Sequence, residues 1–259
     1  MELRKEKEIE YYEKQAQKQI KINPSQLVDF EGFNPNNLDS FNFCHQLLKE
    51  NCKDKIILDY GCGNGIHSAF LAELASKMIG IDLSENSLKI AKSRIEKINL
   101  SDKTEFLVMD CEKTNFENNI FDIIFDGGTF SSLDLSLVYP EIVRILKPEG
   151  ALIGIETFGH NPLTNFKRKI NKILGKRTGW AASHIFQDKD LKTAKEYFNK
   201  VEVYYFHLIS WILIPFLKIP GFKFIFRVLE TIEKKLLKIN FLKKYSFKVV
   251  FIFSNPKKI

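Results

Sequence analysis

The stretch Lys55–Gly65, K-I-I-L-D-Y-G-C-G-N-G, constrains this chain more than any other. Ile56, Ile57 and Leu58 form a short apolar run of the kind buried on both faces of a parallel sheet. The run ends at an acid, Asp59, and three glycines follow at alternate positions, Gly61, Gly63 and Gly65. A helical pattern begins near Ile66. Strand, glycine-rich turn and helix together let a backbone approach a nucleotide-like ligand closely. Seventeen residues after Gly65, at the end of the next apolar run Met78–Ile81, stands Asp82. An acid at the tip of a second strand can accept both hydroxyls of a ribose.

Glycine spacing separates two cofactor classes. The dinucleotide fingerprint G-x-G-x-x-G wants its third glycine where this chain has Ile66. The string D-Y-G-C-G-N-G resembles instead motif I of the class I S-adenosylmethionine (SAM) dependent methyltransferases. The resemblance implies a turn from Asp59 through Gly61, Cys62, Gly63 and Gly65 that passes beneath the amino-acid part of SAM, with Asp82 on its ribose. From Ile81, I-D-L-S-x-x-x-L-x-x-A-K resembles the motif II region, which puts Leu83 near the adenine. Ser84 also has the position of a helix N-cap. Phe106–Met109 reads as a third strand, ended by Asp110 and Cys111. In the resembling family the acid here bonds the adenine amino group and its neighbour offers a backbone N–H to the ring. F-D-I-I-F-D-G-G-T-F, at Phe121–Phe130, resembles motif IV, so Asp126 and Gly127 would face the transferred methyl group. It is not the D-P-P-Y or N-P-P-Y tetrad, which argues against a nucleobase amino acceptor. R-I-L-K-P-E-G-A-L resembles the string L-K-P-G-G-x-L that leads into a fifth strand, Ala151–Ile155.

The resemblance covers residues 55–157 well and the rest loosely. It implies an α/β fold with a doubly wound, seven-stranded, mostly parallel sheet of the Rossmann-like type. Val201–His207 reads as the sixth strand and Ser246–Ser254 as an antiparallel seventh. Residues 1–54 are expected to be an N-terminal helical cap and 55–259 the SAM-binding methyltransferase domain. Within it, 158–200 is a substrate-side segment. The family joins its last two strands by a short hairpin, whereas here 208–245 is an apolar and basic insertion of about 38 residues. It reads as two helices broken at Pro220–Gly221. Its aromatic residues Trp211, Phe216, Phe222, Phe224 and Phe226 leave four readings open. They could pack between the inserted helices, close over an apolar substrate, form a dimer face, or make an interfacial membrane patch flanked by Lys218, Lys223 and Arg227. Near the start, Y-Y-E-K-Q-A resembles the cap that many small-molecule methyltransferases fold over SAM, which puts Tyr12 on the cofactor. The other reading is a solvated helix with Tyr11 or Tyr12 on its packed side. Gln26–Asn37 is loop-like and could border a substrate entrance.

The net charge is +7 over 259 residues. That fits an anionic partner, and it also fits AT-rich coding, since Lys, Asn, Ile and Phe are all abundant. Four cysteines, Cys44, Cys52, Cys62 and Cys111, show no C-x-x-C pair and no zinc spacing, so a reduced, cytoplasmic protein without a metal is expected. The charged start M-E-L-R-K-E-K-E-I-E lacks an apolar core, so it is not expected to be a signal peptide. The apolar run Leu208–Leu217 contains Pro215 and falls far short of the roughly 20 residues that span a bilayer. No nucleic-acid module is recognisable.

Methyl transfer from a sulfonium is an in-line displacement, with the nucleophile held about 3–3.5 Å from the methyl carbon and water kept out. A hydroxyl acceptor needs a base. His160, in the loop after the fifth strand, is the first candidate and His184 the second, each with an orienting or structural role as the alternative. Glu156 could orient a partner, and Arg168 or Arg177 could hold an anionic substrate. The expected function is methyl transfer to a small molecule, first an oxygen of a sugar-like or anionic acceptor. The alternatives are a lipid-like quinone or phenol, or a non-catalytic SAM-binding partner module. A homodimer is left open.

Overall fold

In a computed structural model, which describes residues 2–22, 38–174 and 178–258, the apolar runs pair into one sheet. The loop Gln26–Asn37 and Arg177 lie outside the described residues. Two helices come first, α1 (Leu3–Ile22) and α2 (Asp39–Asn51). Strands and helices then alternate: β1 (Ile56–Tyr60), α3 (Ser68–Leu74), β2 (Lys77–Asp82), α4 (Glu85–Lys97), β3 (Thr104–Val108), β4 (Phe121–Asp126), α5 (Leu135–Ile145) and β5 (Leu146–Thr157). After these come α6 (Pro162–Ile173), α7 (Gly179–Ser183), α8 (Asp188–Tyr197), β6 (Phe198–Phe206), α9 (Phe222–Leu236), α10 (Asn240–Lys243) and β7 (Lys248–Pro256).

The strand order is β3-β2-β1-β4-β5-β7-β6. β7 runs antiparallel to both its neighbours, and the pairings among β1 to β5 are parallel. This is the Rossmann-like sheet of the class I methyltransferase fold. Strand alternation sends Leu58 and Tyr60 to one face and Ile57 to the other. Tyr139 of α5 and Leu191 of α8 cover the first face. Leu48 of α2, Leu71 of α3 and Ala91 of α4 cover the second. β5 is longer than expected and takes in Pro148–Gly150. Its pairing with β4 jumps from Phe121↔Leu146 to Ile123↔Ala151, so the turn is absorbed as an irregularity of the strand.

The 208–245 insertion differs from the two-helix expectation. Its first part is a 3₁₀ turn, Ser210–Phe216, that holds Pro215, a residue without the N–H an α-helix interior needs. Gly221 then turns the chain with φ +85° into α9. Two buried acids of α9 anchor the insertion. Glu233 accepts from the backbone N–H groups of Ile209 (2.6 Å) and Ser210 (2.8 Å) and from Ser210 Oγ (2.6 Å). Glu230 accepts from the N–H of Asp39 at 3.1 Å, the first residue of α2, and from Arg227 at 2.6 Å. Each carboxylate satisfies N–H groups that a helix start leaves unpaired. Glu233→Ala is therefore expected to destabilise the chain by about 2–3 kcal/mol, since charged hydrogen bonds are lost and buried donors stranded. Urea unfolding measures this, and Glu233→Gln should lose less.

Candidate functional site

The carboxyl ends of β1, β2 and β4 border a crevice whose floor is the glycine turn. Gly61, Gly63 and Gly65 have φ of +73°, +52° and +73°, a region other residues rarely enter. Their surroundings differ. A side chain at Gly61 would strike Thr129, whose Oγ1 donates to the Gly61 carbonyl at 3.0 Å. A side chain at Gly65 would put its Cβ 2.6 Å from that of Ala91, so this glycine lets α4 pack. At Gly63 a Cβ would meet nothing within 4 Å. The backbone there is open to an incoming ligand.

Acids hold the loops around this floor. Asp82 accepts from the N–H of Gly63 at 2.9 Å and of Ser84 at 2.8 Å, one on each oxygen. A carboxylate has about four lone-pair sites, so accepting capacity remains for a hydroxyl. Burial pushes the Asp82 carboxyl above its usual range, and the N–H donors of Ser84 and Gly63 pull against that. Asp59 accepts from Ser68 Oγ at 2.6 Å, and burial pushes it up to about 7. Asp126 does not line the crevice. It is fully buried and accepts from the Thr129 N–H at 2.9 Å, shaping the loop that presents Gly127 and Thr129. Its carboxyl is raised by burial and by the nearby Glu156. Tyr60 donates its hydroxyl to the Cys111 carbonyl, which ties the end of β1 to the loop after β3.

α1 lies across the opening. Lys5 pairs with Asp110 at 2.6 Å and Arg4 with Glu112 at 2.6 Å. Glu13 accepts from Ser84 Oγ at 2.8 Å and from the N–H of Asn86 at 3.1 Å, at the start of α4. Tyr12 reaches Ser132 Oγ at 3.2 Å, and Asn64 donates to Gln19 at 3.1 Å. Beneath the first half of α1, the crevice is walled by Ile9, Tyr12, Leu83, Asp110, Cys111 and Leu133. Toward the glycine turn it widens to about 470 Å³, walled by Tyr11, Phe41, Asp59, Cys62, Gly63, Ile66, His67 and Gly127. Gly61 and Tyr12 border both parts.

The histidines fall differently from expectation. His67, just before α3, is in the crevice wall. It stacks on Phe41 with ring centres 6.0 Å apart and meets the edge of Phe125 at 5.3 Å. Burial pushes it down to about 3, so it is neutral at pH 7. His160 is not brought to the crevice. Its Nε2 accepts from the Asp188 N–H at 3.3 Å, because the loop after β5 turns toward the start of α8. His184 stacks on Trp180 at 3.4 Å and lines a separate cavity of about 280 Å³ with Asp134 and Lys189. Arg168 is buried on α6, donating to Asn165 at 3.0 Å. Pattern reading also missed Lys5, Glu13, Thr129 and Leu133. The spacing Ile9, Tyr12, Ala16 marks one face of α1, but a charged helix gives no sign of what that face covers.

Sheet order and glycine-floored crevice together define a class I methyltransferase fold. Residues 58–154 match a family described as "Methyltransferase domain". A demethylmenaquinone methyltransferase of Lactococcus lactis is 33% identical over 162 residues, 56% of this chain and 64% of that protein. A sterol 4-C-methyltransferase of Caenorhabditis elegans is 30% identical over 112 residues, 42% of this chain and 34% of that protein. The chain thus spans less than two thirds of either relative's length. Among solved structures, geranyl diphosphate C-methyltransferase from Streptomyces coelicolor superposes with a TM-score of 0.57 at 16% identity, covering 83% of this chain and 79% of that one. These comparisons show the class I methyltransferase fold, with a match to a methyltransferase domain over residues 58–154.

The buried groups set opposing pH dependences. Asp59 sits at about 7 in the fold, against roughly 4 when unfolded, so its contribution to stability is full below about pH 4 and is lost as pH rises through 7. His67 and His207, pushed down to about 3 by burial, act the other way and cost stability as pH falls from 6.5 toward 3. Asp59→Asn removes only the first. Its unfolding free energy relative to wild type should therefore improve by about 2–4 kcal/mol between pH 4 and 8 in urea titrations.

Proposed function

We propose that this chain is an enzyme that transfers a methyl group from SAM to a small, lipid-like acceptor. One observation carries the acceptor class. The wide part of the crevice is walled by Tyr11, Phe41, Ile66 and His67, and no Lys or Arg lines it among the described residues. An anionic or sugar-phosphate acceptor would want cations there. A quinone ring or other flat apolar acceptor suits an aromatic wall. The similarity to a demethylmenaquinone and a sterol methyltransferase supports the same class.

The residues present fit an adenosyl group. Asp82 has lone pairs for the ribose hydroxyls, Leu83 and Leu133 offer apolar faces to a flat ring, and Asp110 with Cys111 borders its edge. Gly63 leaves the floor open. SAM, when bound, supplies an electrophilic methyl on sulfur. The protein's share is position and dryness: α1, pinned by Lys5, Glu13 and Gln19, excludes water from the crevice. His67 stays neutral and orients an acceptor as a hydrogen-bonding group. It is a poor base, because its protonated form exists only near pH 3. His160 and His184 have no part in this proposal.

Calorimetry with S-adenosylhomocysteine tests the cofactor half. Asp82→Ala should raise Kd roughly 30-fold or more, the loss of about 2 kcal/mol of charge-assisted hydrogen bonding, while His160→Ala leaves it unchanged. For the acceptor half, a demethylated prenyl quinone should release S-adenosylhomocysteine from SAM and a phosphorylated sugar should not. Turnover of the sugar alone would overturn the acceptor class.

A further inference from the structure

Two helices at the carboxyl edge of the sheet are built inside out. α6 turns Thr164 and Arg168 into the protein and leaves Phe166 66% and Ile173 84% exposed, with Leu163 and Ile170 beside them. α9 buries Glu230 and Glu233 beside Phe226, and exposes Ile225, Val228, Ile232 and, at 74%, Phe224. Spacings of three and four residues put each apolar set on one helix face. A surface helix of a globular protein ordinarily shows water the opposite face.

α6 and the insertion that carries α9 are tied to each other. Asn161, the N-cap of α6, donates to the carbonyls of Leu208 at 2.9 Å and Tyr245 at 2.7 Å, the two ends of the insertion. Lys167 of α6 lies 5.3 Å from the ring of Trp211 in the 3₁₀ turn, and Glu233 of α9 holds the start of that turn. The surface hangs from the ends of β5 and β6, where Thr157 and Phe206 both pair with Lys248. That is the end of the sheet at which the crevice opens. Lys248 in turn sits 5.3 Å from the ring of Phe41 in the crevice wall.

Charge on this surface has one sign. Residues 157–187 contain no Asp or Glu, and 208–245 contain only Glu230 and Glu233, both buried and bonded internally. Lys169 and Lys172 flank the stripe on α6, and Lys223, Lys234 and Lys235 flank that on α9. A second copy docked here about a two-fold axis would set lysines against lysines. An anionic bilayer meets both demands, with phosphate oxygens for the lysines and hydrocarbon for Phe and Ile. No helix among the described residues is long and apolar enough to cross a membrane, so the contact lies in the plane of the surface.

We propose that the face made by α6 and the 208–245 insertion docks on an anionic lipid bilayer, with α6 and α9 lying in the headgroup boundary. Docking stands on this face alone, whatever the crevice binds. If the crevice takes a lipid-like acceptor, the same contact brings its mouth to where such a molecule resides.

Co-sedimentation of the full chain with vesicles of phosphatidylcholine, with and without one third phosphatidylglycerol, tests this. Binding is expected to the anionic vesicles, weaker to the neutral ones, and to fall as salt rises. The double variant Phe166→Glu, Phe224→Glu should weaken partitioning at least about tenfold with an unchanged melting temperature, since both side chains are exposed. Failure of wild type to sediment with either vesicle overturns the proposal, as does a double variant that binds like wild type. A lipid-free dimer, seen by light scattering and dissolved by the same two substitutions, would reassign the face to a protein contact and equally overturn it.

Discussion

The carboxylate of Asp82 is the clasp on which the crevice depends. It takes the N–H of Gly63 on one oxygen and of Ser84 on the other, so the turn after β1 and the start of α4 are fixed to one group. Charged hydrogen bonds of this kind are worth about 1.5–3 kcal/mol each, and more is lost when a buried donor is stranded. Ser84 extends the clasp outward. It caps α4 by accepting from Ser87 and gives its hydroxyl to Glu13 of α1. A single chain of hydrogen bonds therefore runs from the glycine floor to the helix that covers it.

Buried acids recur as organisers elsewhere. Asp126 shapes the loop after β4, Glu230 holds the start of α2, and Glu233 holds the 3₁₀ turn of the insertion. In each case a carboxylate meets backbone N–H groups that would otherwise be unpaired. The same economy explains the outer face of α9. Its acids are used inside, which leaves its aliphatic side chains turned to the surface and its lysines at the flanks.

Much of this was legible from residue order. Strands β1 to β4 are short apolar runs that end in or beside acids, and the glycine spacing marked the floor and excluded the dinucleotide plan. Ser84 and Asp82 stood out because cap and strand tip are local features. What pattern could not reveal is direction and distance. The pairs of Lys5 with Asp110 and of Glu13 with Ser84 span 105 and 71 residues, and each charge alone reads as a solvated one. His67 carries no local sign of its place, since nothing near it in the sequence shows that Phe41 and Phe125 close over it. Residue order did not mark α6 at all, and in the insertion it marked a helix after Gly221 and its aromatic residues but not which side faces inward. That choice is made by Arg168, Glu230 and Glu233, whose partners lie inside the molecule. His160 drew attention by its place after β5, yet the chain turns there toward α8 and carries it off.

The most direct test is a crystal structure of the chain grown with S-adenosylhomocysteine. A ribose is expected with its hydroxyls within about 3 Å of the Asp82 oxygens, a typical hydrogen-bond distance, and the Gly63 backbone beneath the ligand. A ligand seated elsewhere, or a ribose out of reach of Asp82, would contradict it.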